Sequence, residues 1–191
     1  MPSRSDFLTK VARRIASPAR FTSSGKTDSI LTVAAGSYGF HSGQEEATMP
    51  TGFDPLAAAL FESIVEAAFL VATADGVFDE NEKQAFKTVV LEACKGAVSS
   101  VALDALMADL ADQLQEDGLD SRLEMVALAI YRPEHQLEVL RIAAFIALAS
   151  GGISDPERRV IERLAKAFKL SEFNVDNVLL EAQEAIEEAQ F

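Results

Sequence analysis

The sequence predicts an all-α protein, a compact bundle of about seven helices built from two pseudo-symmetric helical hairpins. Three observations predict this class. Hydrophobic residues make up 49% of the chain and aromatic residues only 7%, and alanine, leucine, valine and glutamate are abundant, as is typical of helical proteins. Apolar residues recur at helical spacing, and no long stretch alternates as a half-buried strand does. A short acidic segment between two helical patterns also occurs twice.

The N-terminal segment, residues 1–20, is predicted to form a basic amphipathic helix over 4–16. Pro18 ends this helix. Its apolar face consists of Phe7, Leu8, Val11 and Ile15. Its basic face consists of Lys10, Arg13 and Arg14. The helix has three alternative roles: peripheral contact with an anionic membrane or a partner, packing on its own acidic domain, or targeting or disorder. We expect no cleaved secretory signal, because residues 1–20 lack the required apolar run.

Residues 21–52 predict a flexible linker. They hold five of the ten glycines of the chain and many serines and threonines, a composition that disfavours regular structure. The folded domain is therefore expected over residues 53–191.

Within that domain the apolar spacing predicts seven helices, at about 54–73, 80–94, 98–115, 121–131, 134–149, 155–169 and 172–189. The most apolar stretch, 56–74, contains Glu62 and Glu66, and the apolar run 142–149 has only eight residues. Since neither fits a bilayer core of about 30 Å, we interpret both as central helices that neighbouring helices bury.

The repeated segment covers residues 74–83 and returns 75 positions later as residues 149–158. Each copy follows an alanine-rich apolar run and opens a charged amphipathic run, so each predicts helix, tight acidic loop and helix. One such unit alone cannot cover its apolar face. We therefore expect the two hairpins to pack together about a pseudo-twofold axis.

Helix capping explains much of both loops. Asp79 and Glu82, and likewise Ser154 and Glu157, have the spacing of a capping box, in which each side chain accepts a hydrogen bond from the backbone amide of the other. A metal-independent interaction or scaffold module, in which the loops are only caps, is therefore one hypothesis.

Capping does not explain Asp75, which falls where the negative end of the preceding helix disfavours a carboxylate. A cation at this position would account for it, and oxygen ligands suit calcium or magnesium. An EF-hand is rejected, because Val71 and Thr73 occupy two of its ligand positions. In the second loop serines replace two of the acids. The predicted metal ligands of both loops are Asp75, Asp79, Glu82, Asp155 and Glu157.

Charge and composition exclude several classes of function. The net charge of −13 repels phosphate backbones, so we expect no nucleic-acid partner and favour cations or basic protein surfaces. One cysteine, Cys94, and two histidines leave no Cys or His cluster for zinc. The chain also lacks a nucleophile–base pair, so we expect no enzyme and no small-molecule substrate.

The two loops, with Pro133-Glu134 opening the helix before the second, resemble the tellurite-resistance protein TerB and its TerB-like relatives over residues 55–189. The resemblance implies an all-α fold in two similar halves. It also implies divalent-metal binding through the acidic loops, and it carries to Asp75, Asp79, Glu82 and Glu157; Ser150 departs from the aspartate of the family. A non-enzymatic role in a chemical stress-response complex with protein partners, cytoplasmic and near the inner membrane face, is implied as well.

Overall fold

The computed structural model describes residues 3–18, 28–41, 54–76 and 78–190, without the side chains of residues 40, 41, 186, 189 and 190. In these ranges the chain forms eight α-helices and no strand, which confirms the all-α prediction. The helices are α1 (Arg4–Ala16), α2 (Ile30–His41), α3 (Pro55–Ala72), α4 (Glu80–Ala93), α5 (Ser100–Ala129), α6 (Pro133–Ser150), α7 (Asp155–Ala167) and α8 (Glu172–Gln190).

Helices α3 and α6 pack against each other at the centre of the core, because both have apolar residues on nearly every side. Helix α4 lies against α6, and α7 lies against α3, so the second helix of each repeat contacts the central helix of the other. The central burial of α3 and α6 is as predicted. The pseudo-twofold relation between the two halves stays a prediction.

Helix α3 is long and apolar enough to cross a membrane by length and composition, but 67% of this stretch is buried inside the fold. A central core helix has the same properties. Its buried carboxylate, Glu66, is only 7% exposed and pairs with Arg122 of α5, with 2.6 Å between Oε1 and Nε. The ion pair therefore allows a charged residue in an otherwise apolar helix.

Helix α5 covers two helices of the sequence prediction, 98–115 and 121–131. They meet at Gly118, where φ is 78° and ψ is 161°, a conformation that is essentially restricted to glycine. The chain therefore bends here, and α5 consists of two helical segments, one on each side of Gly118.

Helix α1 has the predicted bounds, and its apolar face packs on α4, α8 and α6. Val11 and Ile15 are at most 1% exposed, and Leu8 is 6% exposed. Of the three alternatives for this helix, the structure has the one in which it folds back on its own domain.

The structure differs from the linker prediction at residues 30–41, which form α2 and pack on α3. Leu31, Ala34 and Ala35 are at most 1% exposed, so they belong to the same core as the rest of the protein. Tertiary burial outweighs the low helix propensity of the glycines here. Residues 19–27 and 42–53 of the N-terminal region lie outside the described residues.

Candidate metal centre

The first acidic loop joins α3 to α4, and its second half is a complete capping box. Asp79 Oδ1 accepts hydrogen bonds from the amides of Asn81 and Glu82, at 2.7 and 2.9 Å. In return, Glu82 Oε2 accepts one from the Asp79 amide at 2.9 Å. These bonds satisfy amides that the first turn of α4 leaves without helical partners. The capping prediction is therefore confirmed for this loop.

Phe78, the residue before the cap, anchors the loop in the core. Its ring meets those of Phe69 on α3 and Phe86 on α4 edge to face, with centroids 5.7 and 6.0 Å apart. This arrangement is the favoured one for aromatic pairs. The position of the loop backbone is thus tied to the packing of α3 and α4.

Asp75 lies three residues beyond the last residue of α3 and is exposed. The turn around it is closed by the backbone, since the Gly76 amide donates to the Thr73 carbonyl oxygen at 3.0 Å. The capping box of α4 does not use this side chain. The side chain of Asp75 therefore lies outside the α4 cap, as its sequence position predicts.

The second loop joins α6 to α7 and is capped in the same way. Glu157 Oε2 accepts from the Ser154 amide at 2.7 Å, and the Ser154 hydroxyl accepts from the Glu157 amide at 3.4 Å. Ser150 takes the place of an acid, and its hydroxyl donates to the Ala147 carbonyl oxygen at 2.7 Å. Asp155 lies exposed in the first turn of α7.

The two loops converge at Glu157, which is 8% exposed. Burial raises the pKa of its carboxyl above the usual value, and repulsion from Asp75 and Glu82 of the first loop raises the pKa further. The hydrogen bonds from Ser154 oppose this rise. Because α7 packs on α3, Asp75 and Glu82 thus act on Glu157 across the two repeats. Of the other two predicted ligands, Asp79 caps α4 and Asp155 lies exposed in the first turn of α7.

The residues fit a divalent cation in chemistry, although their present spacing is loose. In the part of the chain described here, no three Asp, Glu, His or Cys side chains lie close enough together to hold an ion as they stand. Each capping glutamate uses Oε2 for its amide, and a carboxylate has a second oxygen that can bind an ion. Water or backbone carbonyl groups would complete the ligand set.

A buried ionic cluster on α6 was not predicted from the sequence. Arg141, 3% exposed, pairs with Glu181 of α8, with 2.9 Å between Nε and Oε1, and its guanidinium lies 4.8 Å from the centre of the Phe145 ring. Glu138, 1% exposed, accepts a hydrogen bond from the Ile30 amide at 3.0 Å. The available signal was a glutamate and an arginine three residues apart, on one face of a helix predicted to be central. These contacts join α6 to α8 and to the start of α2.

Comparison with known proteins gives one family. The sequence model described as "Tellurite resistance protein TerB" matches residues 67–180, more than half of the chain. The match runs from the middle of α3 into α8, so both acidic loops lie inside it. No curated protein and no solved structure matches this chain.

Proposed function

Because this chain belongs to the TerB family of tellurite resistance proteins, we propose that it is a non-enzymatic module that binds a divalent cation between its two acidic loops. Calcium or magnesium is the expected ion, since carboxylates and backbone carbonyl groups are hard oxygen ligands. What supports this proposal is the packing of α7 on α3, which brings the buried Glu157 carboxyl of the second loop near enough to Asp75 and Glu82 of the first for their charges to raise its pKa.

The action of the ion follows from this electrostatic arrangement. Three carboxylates that repel one another destabilise the convergence of the loops, and a bound dication would replace that repulsion with attraction. The stabilisation of the loops would extend to α3 and α4 through the packing of Phe78, and to α7 through the Ser154 cap. Binding would thus stiffen one end of the bundle and fix the surface that it presents to partner proteins.

Asp75, Glu82 and Glu157 are the ligands that this arrangement favours. Asp79 and Asp155 complete the predicted set, Asp79 by orienting the Glu82 amide and Asp155 from the first turn of α7. We further propose that the module works in a tellurite or chemical stress-response complex at the cytoplasmic membrane face, as the family suggests. Since the apolar face of α1 is buried, membrane contact through residues 4–16 would use the basic residues of α1 or require its release.

Calorimetric titration of the EDTA-treated chain with calcium, magnesium, manganese and zinc tests ion binding. We expect a saturable site for calcium or magnesium and a melting temperature that rises with the ion. At a hundredfold excess over Kd the free energy of unfolding should increase by about 2.7 kcal/mol. Asp75→Asn and Glu157→Gln should abolish the rise, whereas Glu184→Gln, which removes one exposed charge from α8, should retain it.

The metal-independent scaffold remains the second candidate, and one observation favours it: both capping boxes are complete without an ion. It requires equal melting temperatures in EDTA and in millimolar metal. It also requires that Asp75→Asn change neither the melting temperature nor the response to metal. That pair of results would reject the cation site while leaving the fold and the family assignment intact.

A further inference from the structure

A groove between α7 and the start of α8 concentrates positive charge on this acidic protein. It has a volume of about 880 Å³, and five of the 17 basic residues of the chain line it, together with three acidic residues, Glu162, Glu172 and Asp176. We call this the basic groove; its basic residues are Arg158, Arg159, Arg163, Lys166 and Lys169. All five are exposed.

Two of these five charges are neutralised within the fold. Arg158 pairs with Glu162 at 3.0 Å and with Asp176 at 3.5 Å, and Arg163 pairs with Asp120. The other three, Arg159, Lys166 and Lys169, form no ion pair with any residue that the structure describes. On a chain with 30 acidic residues, three adjacent cations that the fold does not pair favour an external anionic partner.

The backbone at Lys169, one of the five basic residues, has an unusual conformation. Its φ is +59°, a left-handed conformation at the end of α7 in which glycine is the favoured residue. The Leu170 amide closes the turn on the Ala165 carbonyl oxygen at 2.9 Å, and this bond does not involve the lysine side chain. The negative end of α7 favours a cation at this position, and the charge of Lys169 adds to that of the groove.

Apolar surface adjoins the basic groove. A second groove, of about 750 Å³, shares Lys169 and Leu170 with it and is lined by Leu128 and Tyr131, which are 74% and 71% exposed. Phe173, next in sequence to Glu172 of the basic groove, is 72% exposed. Exposed aromatic and aliphatic residues beside unpaired cations are typical of surfaces that bind partners.

We propose that the two grooves together bind an acidic segment of a partner protein, one that carries glutamates or aspartates for the basic groove and apolar side chains for its neighbour. Charge complementarity and the shape of the grooves together favour this occupant. A flat anionic membrane fits a concave groove poorly, and a long phosphate backbone would also meet the acidic surface of a chain with net charge −13, whereas a short acidic segment need contact only the grooves. A short acidic amphipathic helix meets both requirements.

The test uses a fluorescein-labelled peptide helix with glutamates on one face and leucine and phenylalanine on the other, titrated with the full chain. A twin peptide with lysine at every glutamate position is the control. The acidic peptide should bind and the basic twin should not, and binding should weaken as salt rises. In the triple variant Arg159→Ala, Lys166→Ala and Lys169→Gly, we expect affinity to fall at least about tenfold.

Matched variants separate binding from folding. Arg13→Ala removes an exposed charge from α1, which contacts the far end of α8 through Arg14 and Glu188, and should leave affinity unchanged. Phe173→Ser should weaken binding, whereas Leu56→Ser, at a residue 80% exposed elsewhere, should not. Lys169→Gly alone should lower affinity without lowering the melting temperature, since it relieves the left-handed backbone.

Three results would overturn the proposal. The first is equal acidic-peptide binding by the wild type and the triple variant, or no binding by either. The second is binding to phosphatidylglycerol vesicles or to an oligonucleotide with the same residue dependence, which would assign the groove to a different anion. The third is concentration-dependent dimerisation that the triple variant abolishes, which would make a second copy of the chain the occupant.

Discussion

The guanidinium group of Arg141, in the middle of α6, donates a hydrogen bond to the carbonyl oxygen of Arg14 in the last turn of α1, with 3.1 Å between Nη2 and O. It also donates to the Ser17 carbonyl oxygen at 3.4 Å, just beyond the helix end. These carbonyl groups have no helical partner, and they form the negative end of the α1 dipole. One buried cation thus caps α1 from a different helix.

Arg141→Met tests this contact. The change leaves Glu181 without its cation and two carbonyl groups without a donor, so we expect the free energy of unfolding to fall by about 3–5 kcal/mol. Urea unfolding measures it. The double variant Arg141→Met with Glu181→Leu should recover part of the loss, because no uncompensated charge then remains.

Lys83→Met is the control. It breaks an exposed pair with Glu80 and should lower the free energy of unfolding by less than about 1 kcal/mol. Equal losses for Lys83→Met and Arg141→Met would contradict the account.

Two glycines of α2 give a matched pair that tests its docking. A methyl group at Gly39 would lie 1.8 Å from the Ala97 carbonyl oxygen, whereas one at Gly36 meets nothing within 4 Å. Gly39→Ala should therefore lower the melting temperature. Gly36→Ala should raise the stability by up to about 1 kcal/mol through helix propensity. Thermal unfolding of both variants checks this. If Gly39→Ala were as stable as Gly36→Ala, α2 would not pack closely on the α4–α5 connection.

Glu157 should make the stability of the metal-free protein depend on pH. Its folded-state pKa is raised above the ordinary 4.5, mainly by burial, so the folded state holds this proton more tightly than the unfolded state does. The resulting stabilisation is present below pH 4.5 and is lost as pH rises through the raised pKa.

Urea unfolding in EDTA over the weakly acidic range checks this prediction. Glu157→Gln should be more stable relative to the wild type at neutral pH than at acidic pH, because glutamine can still accept the Ser154 amide but has no charge. Glu184→Gln should follow the wild-type profile. A Glu157→Gln profile parallel to that of the wild type would show that folding does not raise the pKa of this carboxyl.

Cys94 should be inert in the folded protein. It is 1% exposed at the end of α4, and burial raises the pKa of its thiol to about 12. Since the thiolate is the reactive form, a thiol reagent at pH 8 should label the native chain far more slowly than the urea-unfolded chain. Time-resolved labelling measures the ratio. Fast labelling of the native chain would indicate that the end of α4 opens readily.

The sequence predicts most of the fold, because helices of this kind are specified by local spacing. The bounds of α1 agree with the prediction at 4–16, and those of α3, α4, α6 and α8 agree within one residue at each end. Helix α2 was missed for a physical reason. Its glycines lower helix propensity, and tertiary contacts, chiefly with α3, compensate for them.

The candidate metal centre also has one part that the sequence predicts and one part that it does not. Both capping boxes were predictable, since they join residues three apart in the chain. The approach of Glu157 to Asp75 was not, because it brings together residues 82 positions apart, and it depends on α7 packing against α3 rather than on any local pattern. Asp79 and Asp155 stay predicted ligands on the basis of sequence spacing alone.

The sequence by itself determined the helical class, the central apolar helices, the caps and the family resemblance, because each depends on periodicity or on neighbours within one turn. The tertiary structure alone decided which charges meet: Glu157 with the first acidic loop, Arg141 with the end of α1, and the three unpaired cations with one groove. The physical reason is that electrostatic energy depends on separation in space, and the packing of helices sets that separation.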